Sequence, residues 1–338
     1  MNKIIRTICY FSDNPSEQTI SSLDQIAELS TKNGFVVQTK RLCSSNRELV
    51  FNLDENHGKE GYLFGLGSTI LEDYKQLSAK IIKANNVSLN LELANKEITE
   101  QEVGILFNII SQRPSLTFNF TYVFNNEPSS PYFPSGNYQQ NGFSIGLQPT
   151  DLSENCSSLS EWFSNIKGAW NDIINLVGKN PEFLGIDSSI APLFTGISSF
   201  VNFIKRLGLD FSYSATTDTY LQITKFIKQE NPKPVGLCGI MFPCLEDFEL
   251  ADEYEKGNFS IERNVYLSLH SGLGIDTYPM GIDEKPERII DILKLIQGLS
   301  NKYHKPLAAR FVSDGKAKIG EKTDFQNQYL KDVVVKPL

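Results

Sequence analysis

Apolar and polar residues alternate along this chain in two periods, and the switches between them predict its elements. IIRTICYF (4–11) has the content of a strand. Residues 17–33 then place Ile20, Leu23, Ile26 and Ala27 on one helical face, with Gly34 as a stop. FVVQTKRLC (35–43) reads as a strand, 69–84 as a helix through Ile70, Tyr74, Leu77 and Ile81, and VSLNLEL (87–93) as an alternating strand. A helix over 98–112 ends at Pro114, and LTFNFTYVF (116–124) follows as a strand. The second half repeats the theme. It has an amphipathic helix at 161–177 and strands at 183–187, 235–241, 265–270 and 307–312. Helices are predicted at 192–207, 217–229, 246–256 and 286–302. Strand–helix alternation at this interval predicts a mainly parallel α/β fold. Between the halves, NNEPSSPYFPSGNYQQNG (125–142) is loop by composition. It carries Tyr132, Phe133 and Tyr138, which predicts an ordered loop folded over a barrel mouth, with 1–338 as a single domain.

Composition narrows the class. With 40% apolar and 21% charged residues over 338 positions, a large core forms without staples. The net charge of −8, with no basic run, argues against nucleic-acid or anionic membrane partners. The five cysteines are scattered, with no C-x-x-C, which argues for reduced thiols in a cytoplasm and against zinc. Oligomeric state is left open, a homo-oligomer included.

Four segments share one form, an apolar run entering a glycine- or proline-rich turn that bears charge. They are GIDSSIAP (185–192), GIMFPCLED (239–247), GLGIDTYPMGID (272–283) and AARFVSDGK (308–316). In parallel α/β folds such ends converge and ligands bind there. Asp187, Glu246 and Asp276 are therefore expected as acid, base or ligands to Mg²⁺ or Ca²⁺. His270 is a further acid–base candidate. Arg310, Ser188, Thr217 and Asp247 are expected to bind substrate, Arg310 by clamping an anionic group. For any one carboxylate, helix capping is the competing reading, and Asp283 is expected to cap the helix at 286.

Weaker signals stand beside these. Gly142-Phe-Ser144-Ile-Gly146 matches G-x-S-x-G, but no helix follows at once, so it reads as a strand. Gly65-Leu-Gly67-Ser68 lacks the third glycine or lysine of a phosphate loop. Cys238 and Cys244 flank a turn and are expected in the core.

Taken in order, GIDSSIAP, GIMFPCLED, SLHSGLGIDTYPMGID, AARFVSDGKAKIGE and VVVKPL resemble an uncharacterised family, number 711 among the domains of unknown function, also described as pyruvate formate-lyase-like. The likeness is strongest over 183–338. It implies a ten-stranded α/β barrel like that of glycyl radical enzymes, with two antiparallel-related halves of parallel strands. It does not imply their chemistry. Gly315 and Gly320 lack the Arg-Val-x-Gly-Tyr-like setting that holds the radical, and no adjacent cysteine pair exists. Where other members are expected to carry a cysteine before the glycine turn, this chain has Leu269-His270-Ser271, which leaves the carboxylates as the common element. The resulting expectation is an enzyme acting on a small polar or anionic metabolite in a carboxylate-lined pocket. The alternative is a non-catalytic small-molecule-binding or regulatory protein.

Overall fold

The structure is a computed structural model describing residues 2–338. The first half runs β1 (Lys3–Phe11), α1 (Glu17–Lys32), β2 (Phe35–Val37), β3 (Lys40–Cys43), α2 (Arg47–His57), β4 (Tyr62–Thr69), α3 (Leu71–Lys83), β5 (Val87–Glu92), α4 (Glu100–Gln112) and β6 (Phe120–Phe124). The second half runs β7 (Gly142–Leu147), α5 (Leu159–Val177), β8 (Phe183–Asp187), α6 (Phe200–Arg206), α7 (Phe211–Ser214) and α8 (Thr219–Gln229). It continues through α9 (Phe248–Glu255), α10 (Ile261–Ser268), β9 (Gly274–Pro279), α11 (Pro286–Tyr303) and β10 (Leu307–Val312).

All ten strands belong to one sheet, ordered β8-β7-β1-β3-β4-β5-β6-β10-β9, with β2 beside β1. Neighbours are parallel except at two joints, β1 with β7 and β6 with β10. The sheet thus divides into two parallel sets running in opposite directions. Its ladders stop at β8 and β9. Between these edges runs the segment 234–247, which touches each through single parallel bridges: Ile186 with Pro234, Ile190 with Ile240, Ile240 with Gly272, and Pro243 with Asp276. The ladder therefore does not close into the expected barrel.

Side chains on one sheet face pack against the helices. Ile8, Tyr10, Leu42, Phe64, Leu89, Leu91, Phe120 and Tyr122 belong to this main core. Cys9, Phe11 and Cys43, alternate with these along β1 and β3, form a separate small cluster with Phe133 of the 125–142 loop. The two clusters mark the two faces of the strands.

Several expected elements change. Residues 265–270 belong mostly to helix α10, not a strand. Its buried stripe contains the polar Asn264 and Ser268 beside Ile261 and Leu267, so the helical period is not visible as an apolar one. Ser260 caps it by accepting from Arg263 N–H. Conversely, GIDTYP is strand β9 rather than a turn. Gly274 (φ +104°) lets β9 approach β10 so closely that a Cβ there would lie 2.0 Å from the Ala308 carbonyl oxygen. The predicted strand 35–43 is split into β2 and β3, both paired to β1. Residues 235–241 form only the isolated bridges described above, and the helix expected over 192–207 is confined to α6. Helix α2 and strand β4 were not predicted.

Candidate functional site

The strand faces that turn away from the helices line a cavity of about 550 Å³. Its wall takes Arg6 from β1, Arg41 from β3, Leu63 from β4, Ser88 from β5, Thr121 from β6, Asp276 from β9 and Arg310 from β10. Buried parallel strands are ordinarily apolar on both faces. Here one face is apolar and the other mixes charged and polar side chains with apolar ones. Phe118, Tyr132, Phe133 and Tyr329 add aromatic surface.

At the centre stands Arg310. Its Nε donates to Asp276 Oδ1 at 2.7 Å, one terminal nitrogen donates to Glu246 Oε1 at 2.9 Å, and the other to the Phe118 carbonyl at 3.2 Å. The guanidinium also lies 5.1 Å from the Phe118 ring centroid. The two carboxylates hold the guanidinium's pKa up despite burial. Burial raises the Glu246 carboxyl, while Arg310 pulls it back and Asp276 pushes it further up. The strand next to Asp276 is irregular. The β9–β10 register shifts between Ala309 and Phe311, so Arg310 sits at a bulge. Thr277 has φ +39°, a strained value for a β-branched residue, and its buried hydroxyl has no hydrogen-bond partner.

Arg41 differs from Arg310. It is buried, and its Nε and one terminal nitrogen donate to Thr39 Oγ1 (3.3 Å) and the Pro131 carbonyl (3.2 Å). Among the described residues it forms no ion pair with a carboxylate. Burial and, after it, the nearby Arg6 lower its pKa to about 9. The Arg6 side chain donates to the Gln38 side-chain oxygen at 3.1 Å. Arg113 also lines the cavity and donates to the carbonyls of Ile82 (3.1 Å), Ala84 and Asn85. The cavity wall therefore holds four arginines against two carboxylates, in a chain whose net charge is −8. None of Arg6, Arg41 or Arg113 was singled out from the sequence. The available signal was alternation. KRLC, VSLNLE and FTYVF place Arg41, Ser88, Asn90 and Thr121 on one strand face. Once both faces are covered, a polar face lines a cavity instead of meeting solvent.

Of the expected residues, Glu246, Asp276 and Arg310 come together. Asp187 does not join them at the cavity wall. Its fully buried carboxylate accepts five hydrogen bonds, from Ser189 N–H and Oγ, Leu237 N–H, Cys238 N–H and Ser130 Oγ. It fastens the end of β8 to the 236–238 turn and to the long loop. Burial raises its pKa, and those donors oppose the rise. The Mg²⁺ or Ca²⁺ set expected from Asp187, Glu246 and Asp276 is thus not assembled. Among the described residues no group of three or more His, Cys, Asp or Glu side chains is placed to hold a metal ion.

Ser188 Oγ accepts from Trp170 Nε1 (2.7 Å) and Asn231 Nδ2 (3.2 Å), so it serves packing. Thr217 donates to the Ser214 carbonyl in the turn before α8. Asp247 is the N-cap of α9 and also accepts from Phe200 N–H at 2.9 Å. Asp283 accepts from Ile319 N–H, away from the expected cap of α11. His270 lines a different, smaller cavity. Cys238 and Cys244 are buried, and burial pushes the Cys238 thiol up to about 12 and Cys244 well above its ordinary value. Ser144 lies within β7, donating to the Ser129 carbonyl, so Gly142–Gly146 forms no nucleophile elbow.

Residues 97–326 match the model of the family described as "Uncharacterised ACR (DUF711)". The match covers more than half of the chain. This protein belongs to that family. None of the curated proteins matches it. The DUF711 match takes in Glu246, Asp276 and Arg310, while Arg6 and Arg41 lie before it. Among the described residues no helix is long and apolar enough to cross a membrane.

Proposed function

We propose that this protein binds a small anionic metabolite in the arginine-lined cavity and acts on it by proton transfer. The observation that carries the reading is Arg41, a buried guanidinium on the cavity wall with no carboxylate partner. A buried unpaired charge is costly, and an anion within reach offsets that cost. Arg6 adds a second donor on the same side. Glu246, raised by burial and touching Arg310, is the proton carrier, and Asp276 holds the opposite edge of Arg310. The two antiparallel-related strand sets support the likeness to pyruvate formate-lyase-like barrels, with segment 234–247 between the two edge strands. No radical step enters the reading.

A non-catalytic binding or regulatory role is the second reading. It is favoured by Arg310, whose nitrogens are already committed to two carboxylates and a carbonyl. Turnover separates the two readings.

The test is a thermal-shift screen of small carboxylates and phosphate esters on wild type and Arg41→Met. Methionine keeps the buried stem without the charge. A ligand at about 100 times its Kd stabilises by about 2.7 kcal/mol, which should vanish in the variant. Equal shifts in both proteins would sink the proposal. If ligand binds, Glu246→Gln should retain binding and lose any turnover.

A further inference from the structure

A second cavity, of about 260 Å³, lies between α8, the 270–273 turn and the chain just after α11. Lys225, Lys228 and Lys305 line it together with His270, Ser271 and Thr224, and no carboxylate is among its lining residues. Such a wall is unusual in a chain with 40 acidic and 32 basic side chains. Leu273 lines both cavities, so this compartment lies behind the wall of the larger one.

Lys305, His270, Ser271 and Thr224 are held in place. Lys305 Nζ donates to the carbonyls of Ser268 (3.0 Å) and His270 (2.9 Å), which pins the amine at the wall. His270 Nδ1 is 3.0 Å from Ser271 Oγ, which in turn is 3.3 Å from Thr224 Oγ1, and Nε2 has no hydrogen-bond partner among the described residues. Burial and the neighbouring Lys228 push the Lys305 pKa down to about 7. Burial and Lys305 push His270 down as well. The compartment thus holds positive charge that no carboxylate on its wall balances.

We propose that this compartment is a separate oxyanion site, taking a tetrahedral anion the size of inorganic phosphate on Lys305, Lys228, His270 and Ser271. The lysines supply charge, and the imidazole and hydroxyl supply neutral hydrogen bonds. A bound anion favours the protonated form of Lys305 and covers its amine.

The experiment measures acetylation of Lys305 by a trace of acetic anhydride near neutral pH, read by peptide mass spectrometry. It is run with and without inorganic phosphate on wild type, Lys228→Ala and Arg41→Met. Lys228 is exposed, so its truncation leaves the fold intact, which a thermal melt verifies. With phosphate at ten times its Kd, Lys305 labelling should slow about tenfold in wild type and in Arg41→Met. In Lys228→Ala most of that protection should be lost. No protection in folded wild type at about 50 mM phosphate, a weaker affinity than ordinary specific sites show, would overturn the proposal. So would protection lost in Arg41→Met and kept in Lys228→Ala, because the phosphate would then sit in the larger cavity.

Discussion

At position 247 a carboxylate is wholly enclosed, yet it touches no cation. Asp247 Oδ1 accepts from the N–H groups of Glu249 (3.2 Å) and Leu250 (3.3 Å), and Oδ2 accepts from Phe200 N–H. Burial nevertheless lifts its pKa to about 7. In the unfolded chain an aspartate titrates near 4. Between these values the folded chain holds a proton that the unfolded chain has released. The contribution of Asp247 to stability is therefore full below about pH 4 and is lost as pH rises toward 7. Urea midpoints measured at intervals across that window should show this loss, and Asp247→Asn should flatten it. A variant with the same pH slope as wild type would contradict the assignment. The same residue shows why single positions were hard to read from sequence. An acid after a strand serves equally as cap, clasp or ligand. Asp247 is a cap, Asp187 a clasp, and only Glu246 and Asp276 face the cavity. The distinction rests on backbone N–H groups from distant segments, such as Phe200 and Leu237, which no local pattern reveals.

Among elements, the 125–142 loop shows how one aromatic ring holds a long connection in place. Phe133 is seated between two glycines. A Cβ at Gly65 would lie 2.7 Å from its Cζ, and a Cβ at Gly136 would lie 2.7 Å from its Cδ1. Asn90 then ties the loop to β5 by donating to the Pro134 and Gly136 carbonyls, at 2.9 and 3.2 Å. Gly65 and Gly67, which from sequence resemble a fragment of an anion loop, instead make room for this loop within β4. Gly65→Ala should therefore cost about 1–3 kcal/mol through overpacking, read as a lowered urea midpoint at unchanged slope. An unaltered midpoint would mean that the ring moves freely. Strongly periodic elements such as α1, α5 and α11 were legible because one apolar stripe decides them. Helix α10 and strand β9 were not. Buried Asn264 interrupts the stripe of α10, and the glycine and proline of β9 mark backbone approach to β10 rather than a turn.

For the whole molecule, the legible part was the alternation of strands and helices. What stayed hidden was the enclosure of a polar strand face. Local alternation cannot say whether polar residues meet solvent or a cavity, because that depends on how far the sheet curls. The convergence of Glu246, Asp276 and Arg310 was legible because each lies in an apolar segment that runs into a glycine- or proline-rich turn. Arg6 and Arg41 were not, since no such turn marks their segments. One architectural detail has a mechanical consequence. Ladders β3 through β6 share load across many cooperative hydrogen bonds, whereas the 234–247 segment is held at each edge by isolated bridges. Opening free energy should therefore be lowest there. The amides of Ile240, Met241 and Cys244 should exchange with deuterium at least about tenfold faster than those of Leu89 and Leu91 in β5. Equal protection would show that the bridges behave as a full ladder. Because Glu246 rides on this seam, the compliance of the vessel is concentrated in the wall that carries the proposed proton carrier. On that proposal, a guest would be admitted by yielding at one stave while the remaining staves stay rigid.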